Sequence, residues 1–224
     1  MKRWEDYDTI QYGDELIDMQ KVLDDVMRAR TAAMHLHPIG HLIGKLQLEY
    51  TFKIPTWATD GRNLLINPYF TSKRTPSELV FLFYHEVLHC VLNHIRRAKI
   101  RRDDMLQANL AGDYECNYTI TELNLIDEGT NKNLGAYYNK KFIGMGYEAI
   151  YDDISKNGLP SGDRWPGGAN ENRDKEEKRI SKSQEDAGMG KGRGGSGGGE
   201  PKGQAWKDGW NKAIADYYAG RLQI

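Results

Sequence analysis

Apolar residues recur at three- and four-residue intervals near the start of the chain. From Asp14 to about His37 this spacing predicts an amphipathic helix. Pro38 follows directly and is expected to end or kink the helix, because proline has no backbone N–H to donate. The predicted buried face comprises Leu16, Met19, Leu23, Val26, Met27 and Ala33.

The next pattern is typical of β-structure. The stretch Leu48–Thr59 is rich in Tyr, Thr, Phe, Ile and Trp, and Asn63–Asn67 is a second β-prone run. Asp60-Gly61 lies between the two runs, and such a pair favours a tight turn between antiparallel strands. The sequence therefore predicts a β-hairpin here.

Two further helices are predicted after the hairpin. Pro76, with Thr75 or Ser77 as the N-cap, opens the first, which continues to about Arg97. This helix is apolar nearly all round, so we expect it at the centre of a domain. After a polar break, the second helix is expected at about Met105–Leu123. Together these elements predict an α+β fold, mostly helical, with a small sheet beside the apolar helix.

The composition changes near residue 155 and divides the chain. Residues 1–154 carry the regular apolar spacing of a folded domain, whereas residues 155–204 are charged and glycine-rich. Such a segment has too little apolar surface to offset the entropy lost on ordering, so it is expected to be a flexible linker. Residues 205–224 predict a short amphipathic helix, whose apolar stripe is Trp206, Trp210, Ala213, Ile214 and Tyr217.

Charge and composition narrow the class of protein. The 224 residues include 31 Lys+Arg and 32 Asp+Glu, and this balance disfavours nucleic acid or an anionic membrane as the main partner. No apolar run approaches the ~20 residues that span a bilayer, and the acidic N-terminus is unlike a signal peptide. Two cysteines are too few for a disulfide scaffold and fit a reducing compartment. We therefore expect a soluble cytoplasmic protein.

The most apolar predicted helix contains His85-Glu86-Val87-Leu88-His89, an HExxH pattern. Residues four apart lie about 40° from each other around a helix, so both imidazoles project from one face and can bind one metal ion. Glu86 follows the first histidine and can take a proton from a water molecule that zinc has acidified. Two histidines and a glutamate would be costly to bury in an apolar helix without such partners. The pattern therefore favours a zinc site with Glu86 as the general base.

A catalytic zinc ion usually has three protein ligands and one position left for water. Asp113 is the favoured third ligand, because it lies on the following predicted helix. Asn109 and Asn117 share its face at one turn before and one turn after. Their amides are expected to hydrogen-bond the carboxylate and support it as a ligand.

Other candidates for the third ligand stay open but are weaker. His94 lies five positions after His89, and on a continuous helix this rotates its side chain by about 500°, onto the far side. Glu115 faces away from Asp113 on the same helix, so the two should not serve one ion. Glu122 and Glu128 are more distant alternatives.

Residues near the motif carry weaker signals. His35, His37 and His41 have no carboxylate or thiol nearby, which predicts a surface or packing role. Cys90 and Cys116 are interpreted as small buried apolar residues. The candidates for stabilising an oxyanion are Tyr84, Tyr114 and Tyr118, among which the sequence does not choose.

Several segments, in order, resemble a bacterial and phage family. They are Pro55–Arg62, Ile66–Pro68, His85–Arg97, Ala111–Asn117 and Met145–Tyr151. The first four are similar to the family's TxATDGxxLxxNP, HExxHxxxxHxxR and AxDxxxN patterns. That family is the metallopeptidase domain at the N-terminus of von Willebrand factor A-like proteins, and the resemblance covers about residues 15–154.

The resemblance implies a zincin-like fold in which His85, His89 and Asp113 hold zinc. A von Willebrand-type domain usually follows the linker in this family. Residues 155–224 contain neither that module nor its DxSxS metal-binding sequence. A partner that recognises that domain is therefore not implied here.

Two functions are compatible with these observations. The first is a zinc-dependent metallopeptidase acting on a peptide or protein, which would lie extended along the edge of the small sheet. The alternative is a non-catalytic metal-binding scaffold that docks a protein partner through its C-terminal helix. The intact HExxH pattern with a third ligand candidate favours the enzyme.

Overall fold

A computed structural model describes residues 7–126, 130, 134–161 and 163. The strands are β1 Thr9–Tyr12, β2 Glu15–Asp18, β3 Gln47–Tyr50, β4 Trp57–Thr59 and β5 Asn63–Ile66. The helices are α1 Met19–Leu36, α2 Pro68–Ser72, α3 Pro76–Val91, α4 His94–Arg101, α5 Met105–Glu122 and α6 Tyr147–Asn157, with 3₁₀ segments at Pro38–Lys45 and Lys140–Phe142. This mainly helical arrangement with small sheets is the predicted α+β class.

The predicted boundary at residue 154 falls inside α6, which ends at Asn157. Most of the predicted linker, residues 155–204, and the whole predicted C-terminal helix, residues 205–224, lie outside the described residues. The division of the chain into domain, linker and terminal helix therefore stays a prediction.

The first helix begins later than the apolar spacing suggested. β1 and β2 form an antiparallel hairpin, and α1 starts only at Met19. The Asp18 side chain accepts a hydrogen bond from the Lys21 backbone N–H at 2.9 Å, which caps the helix. The expected start at Asp14 is wrong, because Gly13, at φ 60°, turns the chain and a strand follows it.

The buried face of α1 also differs in part from the prediction. Met19, Val26 and Ala33 are buried as expected. Leu16 is 70% exposed and Met27 is 50% exposed, so neither belongs to the core. Leu16 lies in β2, where alternate residues point to opposite faces, and a helical spacing does not apply to it.

The predicted hairpin around Asp60-Gly61 exists, but its first strand is short. β4 pairs antiparallel with β5, and the Asp60 carboxylate accepts from the backbone N–H groups of Arg62 and Asn63 at 2.8 and 2.6 Å. The stretch Leu48–Thr59 is not one strand, because β3 ends at Tyr50 and pairs parallel with the far side of β5. The resulting order β3-β5-β4 leaves β4 at the edge of the sheet.

The apolar helix α3 lies in the main core, as predicted. Thr75 caps it through a capping box, in which the Glu78 side chain accepts from the Thr75 backbone N–H at 2.7 Å. Residues on every side of the helix are buried, and α3 packs against both α1 and α5. Its polar HExxH residues therefore lie in a buried, mostly apolar setting.

The expectation that this helix runs to Arg97 is wrong. α3 ends at Val91, and Asn93 adopts the left-handed conformation at φ 61° and ψ 33°. Asparagine tolerates this conformation better than most residues. A new helix, α4, starts at His94 after this left-handed residue, so the side chain of His94 does not follow the rotation of α3.

The helix α5 spans residues close to those predicted and joins two clusters of buried apolar residues. Cys116 and Ile120 pack into the main core with α1 and α3. Ala111 and Tyr114 pack into a second cluster with residues of α6, including Ile150. No helix in the described part of the chain is long and apolar enough to cross a membrane.

Candidate metal centre

The three predicted ligand residues meet at one point between α3 and α5. His85 Nε2 lies 3.1 Å from His89 Nε2, as expected for residues four apart on a helix. Oδ1 of Asp113 lies 3.4 Å from His85 Nε2 and 3.1 Å from His89 Nε2. This group can hold a metal ion, because each residue offers one ligand atom and the atoms are close together.

The group opens onto a cleft of about 340 Å³. Residues 56–59, which include the edge strand β4, form part of the lining, and residues 134–137 form another part. Glu86 lines the cleft together with the two histidines and is only 6% exposed. The cleft therefore places a carboxylate, a potential metal site and an edge strand of the sheet side by side.

The charges in this group are strongly coupled. Burial opposes protonation of His85, but the hydrogen bond and charge of Asp113 and the charge of Glu86 outweigh it and raise its pKa to about 9. Burial also disfavours the Asp113 anion, but its contacts with His85 and His89 outweigh this and lower its pKa to about 2. A proton on His85 thus balances an anionic carboxylate at the point where a cation would bind.

The pKa values of His89 and Glu86 shift in the directions expected from burial. The pKa of His89 falls to about 4, chiefly through burial and also through the positive charge of His85, while its contact with Asp113 acts in the opposite direction. The pKa of Glu86 rises to about 7 through burial, which His85 partly opposes. His89 is therefore neutral near pH 7, the form in which an imidazole can bind a metal.

The two asparagines near Asp113 do not act alike. Asn109 Nδ2 lies 3.2 Å from Asp113 Oδ2, as predicted. Asn117 does not support that carboxylate: its Oδ1 accepts from His85 Nδ1 at 2.8 Å, while its Nδ2 donates to the Tyr137 carbonyl at 2.9 Å. Since the amide nitrogen is used at Tyr137, the oxygen faces His85 and holds the proton on its Nδ1.

His94 lies next to His89, which contradicts its predicted position on the far side. The break at Asn93 invalidates the rotation computed for a continuous helix. His94 Nδ1 lies 3.0 Å from His89 Nδ1, and its Nε2 lies 2.9 Å from Glu115 Oε2. His94 therefore contacts the rear of the His89 ring and not the oxygen of Asp113 at which His85 and His89 meet.

A second group of potential ligand atoms consists of His89, His94 and Cys116, all buried. Cys116 Sγ lies 3.9 Å from His94 Nδ1. Cys90 is half-buried, and its thiol contacts the Glu86 carbonyl at 3.5 Å. The prediction that Cys116 is buried is confirmed, and its nearness to His94 follows from the helix break.

The remaining sequence candidates lie elsewhere. The Tyr84 hydroxyl donates to the Ala33 carbonyl at 2.7 Å, and the Tyr114 hydroxyl donates to Asp163 at 2.6 Å. The residues that line the cleft do not include Tyr84, Tyr114 or Tyr118. Tyr137 does line it, although nothing in the sequence pattern distinguishes this residue. The described residues include no metal-holding group with Glu122 or with His35, His37 or His41, and Glu128 lies outside the described residues.

An ion-pair network that contacts His94 was also not predicted from the sequence. Arg97 donates to Glu148 on α6 at 2.8 Å and to Glu115 on α5 at 3.3 Å. The only sequence signal for it was the arginine of the HExxHxxxxHxxR resemblance. That signal gave no partner, because the partners come from separate helices.

The fold and the site together define a class: an α+β domain in which the histidines of an HExxH helix meet an aspartate of a neighbouring helix at the wall of a cleft. Residues 25–215 match the family described as "Putative metallopeptidase domain", and the chain belongs to that family. Membership implies a metal ion and a peptide or protein substrate. No curated protein and no solved structure matches the chain.

Proposed function

We propose that the protein is a zinc-dependent peptidase in which His85, His89 and Asp113 hold the metal. The observation that carries this proposal is the mutual spacing of their ligand atoms, 3.1 to 3.4 Å. Ligands at ~2.0–2.1 Å from a tetrahedral zinc ion lie about 3.3 Å apart. The donor set of two imidazoles and one carboxylate suits zinc and leaves one position open.

The charge state of the group supports the same assignment. Despite burial, the contact with Asp113 raises the pKa of His85, and the contacts with both histidines lower the pKa of Asp113. A divalent cation at this carboxylate would take the place of a proton on His85 Nε2. The hydrogen bond from His85 Nδ1 to Asn117 already orients the ring for this exchange.

Glu86 is proposed as the general base and acid. When bound, zinc supplies a Lewis acid that polarises the scissile carbonyl and lowers the pKa of water. Glu86 lines the cleft beside the ligands, so its carboxylate can accept the proton of the attacking water. It can then pass this proton to the nitrogen of the departing amine.

The edge strand β4 is proposed as the binding surface for the substrate backbone. Its partner on one side is β5, and its residues line the cleft on the other side. An extended peptide can add to such an edge through main-chain hydrogen bonds. This arrangement would place a peptide bond beside Glu86 without requiring a particular side chain.

The experiment that tests the proposal is the metal content of purified protein. We expect near one zinc per chain in the wild type and a large loss in Asp113→Ala, measured by mass spectrometry after purification without chelators. Asp25→Ala, which removes a carboxylate paired with Lys21 on α1, is the matched control and should keep its zinc. A metal-free wild type, or full zinc in Asp113→Ala, would contradict the assignment.

A further inference from the structure

The rear of the His89 ring makes an unusual contact with a second histidine. His89 Nδ1 lies 3.0 Å from His94 Nδ1, and the two residues are 8% and 4% exposed. The rings meet edge to face, with centroids 5.0 Å apart. Two neutral imidazoles can share such a contact only if one nitrogen carries a proton and the other accepts it.

The other contacts of His94 indicate which of the two Nδ1 atoms accepts the hydrogen bond. His94 Nε2 lies 2.9 Å from Glu115 Oε2, an acceptor that also receives the Tyr147 backbone N–H at 2.8 Å and Arg97 Nη1 at 3.3 Å. The contact with this carboxylate holds a proton on His94 Nε2. A His94 ring that carries its one N–H at Nε2 has a lone pair on Nδ1, the atom that contacts His89.

We infer that His94 is a positioning residue that fixes the tautomer of His89 for metal binding. With a cation bound, His94 would accept the Nδ1 proton of His89 and leave the lone pair on Nε2, the atom that faces Asp113 and His85. Glu115 orients His94, and Arg97 in turn holds Glu115. This inference rests on the proposed metal site at His85, His89 and Asp113.

The packing around the contact supports a direct hydrogen bond. Gly112 lies on α5 against both rings, and a Cβ atom there would approach His94 Nδ1 to 2.8 Å and His89 Cε1 to 3.1 Å. The absence of a side chain at Gly112 therefore lets α5 close on the pair. The same arrangement explains why a small residue precedes Asp113.

The two ligand histidines receive equivalent support from different groups. His85 Nδ1 donates to the Asn117 amide oxygen, and the inferred donation from His89 Nδ1 goes to His94. Both rings then present Nε2 to one point. Partners of this kind typically change metal affinity by ~10–100-fold when removed.

The test compares two nearly isosteric substitutions in the full chain, with zinc affinity measured by competition against a chelator. His94→Leu removes the acceptor, and we expect its affinity to fall by ~10–100-fold. His94→Asn restores an acceptor close to the position of Nδ1 and should recover much of the loss. Equal affinities for wild type and His94→Leu would overturn the inference. Equal losses in the two variants would also overturn it.

A second measurement stays decisive if either variant folds poorly. In zinc-loaded wild type with ¹⁵N-labelled histidine, we expect a proton on His89 Nδ1 and a ¹⁵N–¹⁵N coupling across the hydrogen bond to His94 Nδ1. A proton-free His89 Nδ1, or two zinc ions per chain with Cys116 as a ligand, would overturn the inference. Zinc bound with no such coupling refutes only the role of His94. A wild type that binds no zinc refutes the proposed function as well.

Discussion

Burial raises the pKa of Glu86, and the negative charge of nearby Asp113 adds to this effect. Glu86 is buried, lines the cleft and follows a ligand candidate directly in sequence. The proposed mechanism gives it a proton-transfer role and no part in holding the metal. Its function can therefore be separated from metal binding by a substitution that keeps its shape.

Glu86→Gln should keep its zinc and lose turnover. The amide is close in size to the carboxylate but cannot accept a proton from water, and loss of a general base typically costs ~10²–10⁴-fold in rate. Hydrolysis of fluorescein-labelled casein and metal content would be measured on the same samples. Glu49→Gln, at an exposed position of β3, is the control for the chemical change. Casein hydrolysis at the wild-type rate by Glu86→Gln would contradict the assigned role.

For single residues, the sequence predicted that His85, His89 and Asp113 lie together. It did not predict which residues form hydrogen bonds with the two histidines. The i,i+4 spacing was sufficient for His85 and His89, because it depends only on helix geometry. Asn117 was expected at Asp113 but bonds His85, since the choice between two nearby polar groups depends on the distance between helices. A one-dimensional pattern does not contain that distance.

The junction between α3 and α4 is the element on which the second histidine depends. Asn93 is exposed and left-handed, so its side chain contributes little packing while its backbone sets the direction of α4. The position of His94 behind His89 follows from this single turn. Substitutions at Asn93 therefore test backbone geometry with little disturbance of the core.

Asn93→Val should destabilise the protein and Asn93→Gly should not. A β-branched residue in the left-handed region costs about 1–2 kcal/mol, whereas glycine adopts it freely. We expect this difference in the free energy of urea unfolding, with weaker zinc binding in the valine variant. A valine variant as stable as the glycine variant would mean that the helix does not break at Asn93.

The elements were predicted best where local signals were strong. The limits of α5 and the turn at Asp60-Gly61 agree with the sequence pattern. The parallel pairing of β3 with β5 was not predictable, because it joins strands through a connection that contains β4. Asn93 itself was a sign of the helix break, since asparagine is common where a helix ends in the left-handed conformation. The break was not predicted, because apolar residues continue beyond Asn93 in the sequence.

At the scale of the whole molecule, the network of Arg97 links three helices. The Arg97 guanidinium bonds Glu148 on α6 and Glu115 on α5. The hydrogen bond from Arg97 lowers the pKa of Glu148 to about 2, against the opposing effect of burial. The native state thus favours the ionised form of Glu148 more strongly than the unfolded chain does.

This difference predicts a pH-dependent contribution to stability. A lowered folded-state pKa stabilises the protein fully above the unfolded value of ~4.3, and the effect is lost as pH falls toward 2. Because Glu148 is partly exposed, we expect Glu148→Gln to cost at most about 1 kcal/mol at pH 7. Urea unfolding of metal-free protein between pH 3 and 7 should show the gap closing in acid, with Glu49→Gln as the control. A gap that does not depend on pH would contradict this account.

The position of α5 between two apolar clusters has a consequence for the proposed metal centre. One face of α5 packs with α1 and α3, and the other packs with α6. Asp113 is carried on this shared helix, while His85 and His89 belong to one side only. Unfolding of either cluster would move Asp113 away from the two histidines. Retention of a bound metal would therefore report whether both halves of the domain are folded.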